Sequence, residues 1–242
     1  MLIQYISDIH LEVWKKEPKI NIKCDILCIC GDIGDPYSKI YKKFMKDISK
    51  KFKKVFIIFG NHEFYNQKEE MYNVIEYVKN MINEEKLDNV TFLNNSCEEY
   101  EGFLFVGSIL WSKINDSKYL VNDFNMINDM SISKYNNMYK ENFIYIDKIL
   151  EENKDKKVII LTHHMPSYDF IDDIYKVGDN KYYNQCFASD CSELFRDNVK
   201  LWIYGHTHKS RVSYIKKIKF VCNPLGYPSE MRNINDVNIV EV

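Results

Sequence analysis

Five groups of metal-binding residue types are spread along the chain, each directly after a short apolar run. They are Asp8-x-His10, Gly31-Asp32, Gly60-Asn61-His62-Glu63, Thr162-His163-His164 and Gly205-His206-x-His208. Carboxylate and amide oxygens suit hard divalent cations, and imidazole nitrogens suit Zn, Fe and Mn. The groups supply oxygen and nitrogen without thiolate, which favours a pair of catalytic cations over a structural zinc site. Two cations about 3.5–4 Å apart are the usual machinery for transferring a phosphoryl group to water.

Each group also has a simpler interpretation when it is taken alone. Asp8 and His10 could end a strand by chance, and the Gly-Asp and Gly-Asn pairs are also typical of polar turns. Adjacent histidines could be core residues. However, all six histidines of the chain fall in these five groups. Such a coincidence favours one shared metal site.

The apolar runs before the groups have the length and composition of buried strands. Predicted strands cover residues 2–6, 26–30, 55–59, 103–106, 158–161 and 201–204, and helix-period segments cover 40–52, 69–86 and 135–150. Toward the C-terminus, residues 211–215, 219–222 and 237–242 indicate hairpins. This order predicts an α/β sandwich with one mainly βαβ-wound sheet and a second, partly antiparallel sheet. In open α/β sheets, ligands bind outside the carboxyl ends of the strands, which is where the five groups lie.

Composition narrows the class of protein. A chain of 242 residues with 45% apolar residues can bury one large core, and we expect a single domain over residues 1–242. A net charge of −2 and only three arginines argue against an arginine-based nucleic-acid surface. The seven cysteines lack CxxC spacing and are odd in number, which argues against a disulfide framework. The apolar run after Met1 is too short for a signal peptide or a membrane span, so we expect a cytoplasmic protein.

In their order along the chain, the groups resemble the motifs of the calcineurin-like metallophosphoesterase superfamily, with Asp35 completing the second motif as Gly31-Asp32-x-x-Asp35. The resemblance extends from residue 8 to residue 208 and includes all five motifs of the superfamily. It implies a four-layer αββα sandwich of two mixed β-sheets, with a dinuclear metal centre at one end of the sheets. Residues near 112–155 are expected to form a helical insertion over that end.

The resemblance also implies a role for each motif residue. The implied ligands of the first cation are Asp8, His10, Asp32 and His208, and those of the second are Asp32, Asn61, His163 and His206. A metal-bridging hydroxide would attack phosphorus, with His62 acting as general acid or stabilising transition-state charge. Asp35 would pair with His62 and raise its pKa. The family pattern favours His163 over His164 as the ligand.

These roles predict a hydrolase of phosphodiesters or phosphomonoesters that uses two divalent cations. Mn²⁺ is expected first, with Fe, Zn, Mg or Ni as alternatives. The expected substrate is a phosphate ester, either a small molecule or a short nucleic acid, and neither a membrane nor an obligate protein partner is expected. One alternative is a nuclease acting on RNA or DNA, including lariat or end processing, which salt-dependent oligonucleotide binding would indicate. Another is a non-catalytic metal-binding scaffold, although such proteins are expected to lose ligands that this chain retains.

Flanking residues narrow the subfamily. Pro36-Tyr37 follows Asp35, whereas protein Ser/Thr phosphatases have Arg-Gly there, and lariat-debranching enzymes typically have cysteine at the position of Asp8. Four other segments resemble a group of small predicted phosphohydrolases from bacteria and viruses. They are residues 7–12, 107–111, 187–190 and 222–227. An arginine is common in that group where this chain has Leu225. Trp111, Asn122, Asp123 and Tyr135 could line a substrate cleft or belong to the core, and Tyr227 and Arg232 are similar candidates.

Overall fold

The computed structural model describes residues 1–65, 68–116, 120–230 and 238–242. Arg232 and Val237, the first residue of the last predicted hairpin segment, lie outside these ranges. Within them the strands are β1 (Leu2–Ile6), β2 (Ile26–Cys30), β3 (Lys54–Ile58), β4 (Val90–Phe92), β5 (Ser96–Tyr100), β6 (Phe103–Gly107), β7 (Lys157–Leu161), β8 (Val199–Tyr204), β9 (Arg211–Ile215), β10 (Ile218–Cys222) and β11 (Asn238–Glu241). The α-helices are α1 (Leu11–Trp14), α2 (Lys39–Lys51), α3 (Met71–Glu84), α4 (Asp123–Met126) and α5 (Ile132–Glu152).

The strands form two mixed sheets. The first has the order β11-β1-β2-β3-β4, in which β1 to β4 run parallel and β11 is antiparallel to β1. The second has the order β5-β6-β7-β8-β10-β9, with a parallel centre and an antiparallel strand at each edge. The predicted pairing of the segments near 211–215 and 219–222 is confirmed, whereas β11 joins the other sheet. Short β4 and polar β5 were not predicted.

Three apolar layers separate the two sheets and their helices. Alternate residues of β2 face opposite sides, so that Cys28 and Cys30 lie between the sheets while Leu27 and Ile29 face the helical side. Both cysteines are fully buried and reduced, as expected for small apolar side chains. The helical layers pack on the outer faces, with α2 and α3 against the first sheet and α5 against the second. The predicted four-layer αββα sandwich is therefore confirmed.

The helices have the amphipathic pattern that such a layer requires. On α2, Tyr41, Phe44 and Ile48 are buried, and the Ser38 hydroxyl caps the helix by accepting a hydrogen bond from the Tyr41 N–H at 3.2 Å. None of the helices in the described ranges combines the length and the apolar character needed to cross a membrane.

Candidate metal centre

The predicted ligands lie on the loops that follow five strands, at one end of the sandwich. The strands are β1, β2 and β3 of the first sheet and β7 and β8 of the second. Asp8, His10, Asp32 and His206 have positive φ angles between 51° and 63°. For side chains other than glycine, this left-handed backbone costs roughly 1–2 kcal/mol per residue. Sharp turns of this kind, concentrated where strands end, direct the side chains toward one point instead of along the chain. Strain of this kind is characteristic of functional sites.

The carboxylate of Glu63 joins two of these loops through hydrogen bonds. Its buried carboxylate accepts hydrogen bonds from the backbone N–H groups of Gly60 (2.7 Å), Ile33 (2.6 Å) and Asp32 (3.1 Å). Burial and the nearby Asp32 charge raise the pKa of Glu63 to about 7. The loop after β2 is thus held against the loop after β3, and Asp32 is fixed beside Asn61.

The first set of ligands brings acceptor atoms face to face. His10 Nε2 lies 3.1 Å from His208 Nε2 and 3.9 Å from Asp32 Oδ2, and His208 Nε2 lies 3.6 Å from Asp8 Oδ1. Asp8 Oδ2 is buried and has no hydrogen-bond partner among the described residues. A cation between these atoms would satisfy all of them.

The outer nitrogens of these imidazoles explain why the inner ones act as acceptors. His10 Nδ1 donates to Glu12 Oε1 at 3.1 Å, and His208 Nδ1 donates to Glu230 Oε1 at 2.9 Å. A carboxylate partner at Nδ1 fixes the proton on that nitrogen and leaves the Nε2 lone pair for a metal. Two lone pairs at 3.1 Å repel each other unless a positive charge lies between them.

The second set has the same character. His163 Nε2 lies 3.1 Å from Asn61 Oδ1, 3.2 Å from Asp32 Oδ2 and 3.2 Å from His206 Nδ1. His163 Nδ1 donates to the Cys30 carbonyl at 2.8 Å, which again leaves Nε2 as the acceptor. Asp32 belongs to both sets, as a carboxylate shared by two cations would.

The electrostatics of the second set favour positive charge. Burial disfavours protonation of His163, but the adjacent Asp32 carboxylate outweighs burial and raises the pKa of His163 to about 10. Burial and the neighbouring His164 and His163 lower the pKa of His206 well below its usual value, so its ring is a neutral ligand. The donor set of carboxylates, amide oxygen and imidazoles thus fits two divalent cations.

His164 points away from the centre. Its Nε2 lies 3.1 Å from the Tyr135 hydroxyl, and the ring is fully buried. Of the two adjacent histidines, His163 faces the other predicted ligands.

The expected pairing of Asp35 with His62 is wrong in this structure. Asp35 is exposed, and its Oδ1 accepts a hydrogen bond from the Tyr37 N–H at 3.0 Å. The partner of His62 is Glu12, whose Oε1 lies 3.1 Å from His62 Nδ1. In the turn after β2 the Asp35 side chain is exposed, whereas Glu12 on α1 lies against His62. The signal for Glu12 was its position two residues after His10 in the same motif.

His62 lies beside the centre and faces a cavity. Its backbone N–H donates to Asp32 Oδ1 at 2.9 Å, its ring stacks on Tyr65 with centroids 4.1 Å apart, and its Nε2 lies 3.4 Å from the Tyr227 hydroxyl. Burial disfavours the charged ring, but Asp32 and then Glu12 outweigh it and raise the pKa of His62 to about 9.

A cavity of about 450 Å³ opens over the centre. Apart from His62 and the metal-binding side chains, its wall carries aliphatic and aromatic side chains and neutral or acidic polar groups. Among these are Tyr65, Asn122, Asp123, Asp172, Tyr175, Tyr183, Asn184, Phe187, Tyr227 and Glu230. Four residues were predicted to line a cleft or to belong to the core. Of these, Asn122 and Asp123 reach this wall, whereas Trp111 and Tyr135 belong to the core. Leu225 is likewise a buried core residue.

The fold and the clustered ligands are those of a metal-dependent phosphoesterase. The model of the calcineurin-like phosphoesterase family matches residues 1–210, and the chain belongs to this family. Its chemistry is accordingly the hydrolysis of phosphate esters.

Three comparisons extend this result. An uncharacterized protein of Acanthamoeba polyphaga mimivirus is 32% identical over the whole of this chain and 96% of its own length. A probable cyclic nucleotide phosphodiesterase of Coxiella burnetii is 27% identical over 78% of this chain, and the match spans 63% of that protein. The crystal structure of the phosphopantetheinyl hydrolase of Mycobacterium tuberculosis superposes with a TM-score of 0.72 at 16% identity, covering 94% of this chain and 90% of that one. This last likeness shows a shared fold.

Proposed function

We propose that the chain hydrolyses phosphodiesters with two divalent cations, Mn²⁺ first among them. The first cation is bound by Asp8, His10, Asp32 and His208, and the second by Asp32, Asn61, His163 and His206. One observation carries the proposal. Nitrogen and oxygen atoms of these side chains that can bind a metal lie 3.1–3.9 Å from one another in two sets that share Asp32.

Bound cations would polarise a phosphoryl oxygen, lower the pKa of water and stabilise the charge that develops on phosphorus. The protein side chains supply the remaining requirements. Buried Asp32 and Glu63 keep the two loops in register, and the carboxylates of Glu12 and Glu230 hold two imidazoles in the tautomer that leaves Nε2 unprotonated.

His62 is placed to donate a proton. Its Nδ1–H is committed to Glu12, so its Nε2–H faces the cavity near the Tyr227 hydroxyl. A proton held at Nε2 can pass to the leaving oxygen of the ester, which is the role of a general acid. Stacking on Tyr65 fixes the plane of the ring and hence the direction of transfer.

The cavity favours a small ester over a long nucleic acid. Its volume of about 450 Å³ suits a small molecule. None of the described residues that line it is a lysine or an arginine, although phosphate contacts along a polynucleotide demand cationic side chains. The name of the Coxiella burnetii relative supports testing cyclic nucleotides among the diesters.

The test compares the chelator-treated protein with and without added Mn²⁺ on bis(p-nitrophenyl) phosphate, p-nitrophenyl phosphate, cyclic nucleotides and short RNA. We expect Mn²⁺-dependent cleavage of the diesters, and at least a thousandfold loss in Asp32→Asn because both cations lose a shared ligand. Asp155→Asn, an exposed carboxylate, is the matched control. Diester turnover that survives both chelation and Asp32→Asn would overturn the proposal. Hydrolysis of the monoester alone would overturn its assignment to diesters.

A further inference from the structure

The side-chain amide of Asn61 has two different surroundings. Its Oδ1 lies 3.1 Å from His163 Nε2, on the side of the second cation. Its Nδ2 donates to Asp123 Oδ1 at 2.7 Å and to the Tyr65 hydroxyl at 3.1 Å. Only the oxygen of a carboxamide can bind a metal ion, so the orientation of this amide decides whether Asn61 is a ligand.

Asp123 and Tyr65 together select that orientation. The Tyr65 hydroxyl donates to Asp123 Oδ1 at 2.6 Å, so its proton is already used and its lone pair accepts from Asn61. Rotating the amide by 180° would place Asn61 Oδ1 against two oxygen acceptors and would turn its NH₂ group toward the cation. The flipped amide would leave buried oxygen acceptors facing one another without a donor, which disfavours that orientation.

Asp123 lies 62 residues from Asn61 along the chain and is itself held in place by α5. It begins α4 in the segment between β6 and α5, outside the five metal-binding groups, and is fully buried. Its Oδ2 lies 3.3 Å from the Tyr135 hydroxyl of α5, which also lies 3.1 Å from His164 Nε2. The His164 ring in turn packs on the His206 ring with centroids 4.2 Å apart. Two ligands of the second set are thus supported from this segment, Asn61 by a hydrogen bond and His206 by ring packing on His164.

We infer that Asp123 is a positioning residue for the second cation, acting by keeping the Asn61 amide oxygen turned toward it. The inference rests on the proposed function, since it assumes a cation between Asn61, His163 and His206. It assigns a role to the segment over the sheet edge beyond lining a cavity: that segment decides the occupancy of one of the two metal sites.

The test uses Asp123→Asn, whose NH₂ group can donate to Asn61 Oδ1 and draw it away from the centre. Titration of the metal-free protein with Mn²⁺, followed by calorimetry, should show two cations per chain in the parent. In Asp123→Asn the second dissociation constant should rise at least tenfold, the range expected when a ligand's supporting partner is lost, with the first unchanged. Asp129→Asn, an exposed carboxylate of the same segment, should bind as the parent does.

A paired exchange separates orientation from general damage. In Asn61→Asp with Asp123→Asn, the carboxylate at position 61 has an oxygen on either side and can accept from the new amide, so the second cation should return. Tyr65→Phe keeps the ring but removes the hydroxyl, and should weaken the binding of the second cation only. This variant serves as the test if Asp123→Asn fails to fold.

The outcomes are distinguishable. Two cations with unchanged affinities in folded Asp123→Asn, or in Tyr65→Phe where the first variant unfolds, overturn this inference and leave the proposed function intact. Fewer than two cations in the parent overturn both. Weakening of the second cation in Asp123→Asn that the paired exchange reverses supports the inference, and weakening without that reversal overturns it.

Discussion

Glu12 Oε1 lies 3.1 Å from His10 Nδ1 and 3.1 Å from His62 Nδ1, so one carboxylate oxygen accepts hydrogen bonds from a predicted metal ligand and from the proposed proton donor. Burial alone would raise the pKa of Glu12, but the hydrogen bonds from His10 and His62 outweigh it and lower the pKa to about 2. The two rings meet edge to face with centroids 4.5 Å apart. In the proposed mechanism, Glu12 would thus couple the geometry of the first metal site to that of proton transfer from His62.

Glu12→Gln should lower kcat by roughly 10–100-fold, because glutamine can satisfy one imidazole N–H with its oxygen but presents its NH₂ group to the other. Asp35→Asn is the informative control, because the family resemblance implies that Asp35, and not Glu12, pairs with His62. Among the described residues, the exposed Asp35 carboxylate forms a hydrogen bond only within its own loop, so kcat should stay within about twofold of the parent. Steady-state kinetics on the diester at saturating Mn²⁺ measure both. A large loss in Asp35→Asn with none in Glu12→Gln would return the role to Asp35.

Saturating Mn²⁺ should raise the melting temperature of the chelator-treated protein. Cations that bind only the folded state at 100 times their dissociation constant contribute about 2.7 kcal/mol per site. For a chain of this length that corresponds to a rise of roughly 5–10 °C per site. The rise should be largely absent in Asp32→Asn and present in Asp155→Asn. Identical melting curves for the parent with chelator and with Mn²⁺ would show that the facing acceptors bind no cation.

The strand ends that carry the predicted ligands could be located from sequence, because each apolar run that forms a buried strand is followed directly by residues of metal-binding types. A five-residue run such as Ile26–Cys30, apolar on both faces, is typical of a central strand, and a Gly-Asp pair directly after it is expected at the carboxyl end of that strand. The contacts that Asp123 and Glu230 make with the predicted ligands could not be predicted in this way. Each reaches its partner across a large sequence separation, 62 residues from Asn61 and 22 from His208. No local period encodes such a contact.

The outermost strands of the two sheets were harder to predict than the central strands for a related reason. The strand Ser96–Tyr100 carries polar side chains and is only half-buried, so its pattern does not differ from that of a loop. The strand Asn238–Glu241 pairs with the N-terminal strand instead of the preceding hairpin. That choice depends on which sheet has an open edge, a property of the assembled fold.

The interface between the two sheets should depend on a pair of stacked rings. Phe56 of the first sheet and Phe105 of the second lie with centroids 4.1 Å apart and planes at 11°, and both are fully buried. Phe105→Ala should lower the free energy of unfolding by about 3–5 kcal/mol. A double-mutant cycle with Phe56→Ala should give a coupling of about 0.5–1.5 kcal/mol. Urea denaturation measures the free energy of unfolding of each variant, with Phe103→Ala, at a half-buried position, as the milder control. Additive losses in the double variant would show that the two rings act independently.

Gly60→Ala should remove cation binding, because the centre leaves no room for a methyl group. A Cβ at Gly60 would lie 2.2 Å from Asp32 Oδ1 and 2.7 Å from His163 Nε2, so the shared carboxylate and an imidazole would both be displaced. Gly102→Ala is the contrasting variant. A Cβ there meets no atom within 4 Å, but its φ of 79° strains any side chain. It should cost about 1 kcal/mol of stability and leave Mn²⁺ binding unchanged. Calorimetric titration and urea denaturation of both variants separate the two effects. Two cations bound by Gly60→Ala at parental affinity would mean that Asp32 need not occupy the position between them.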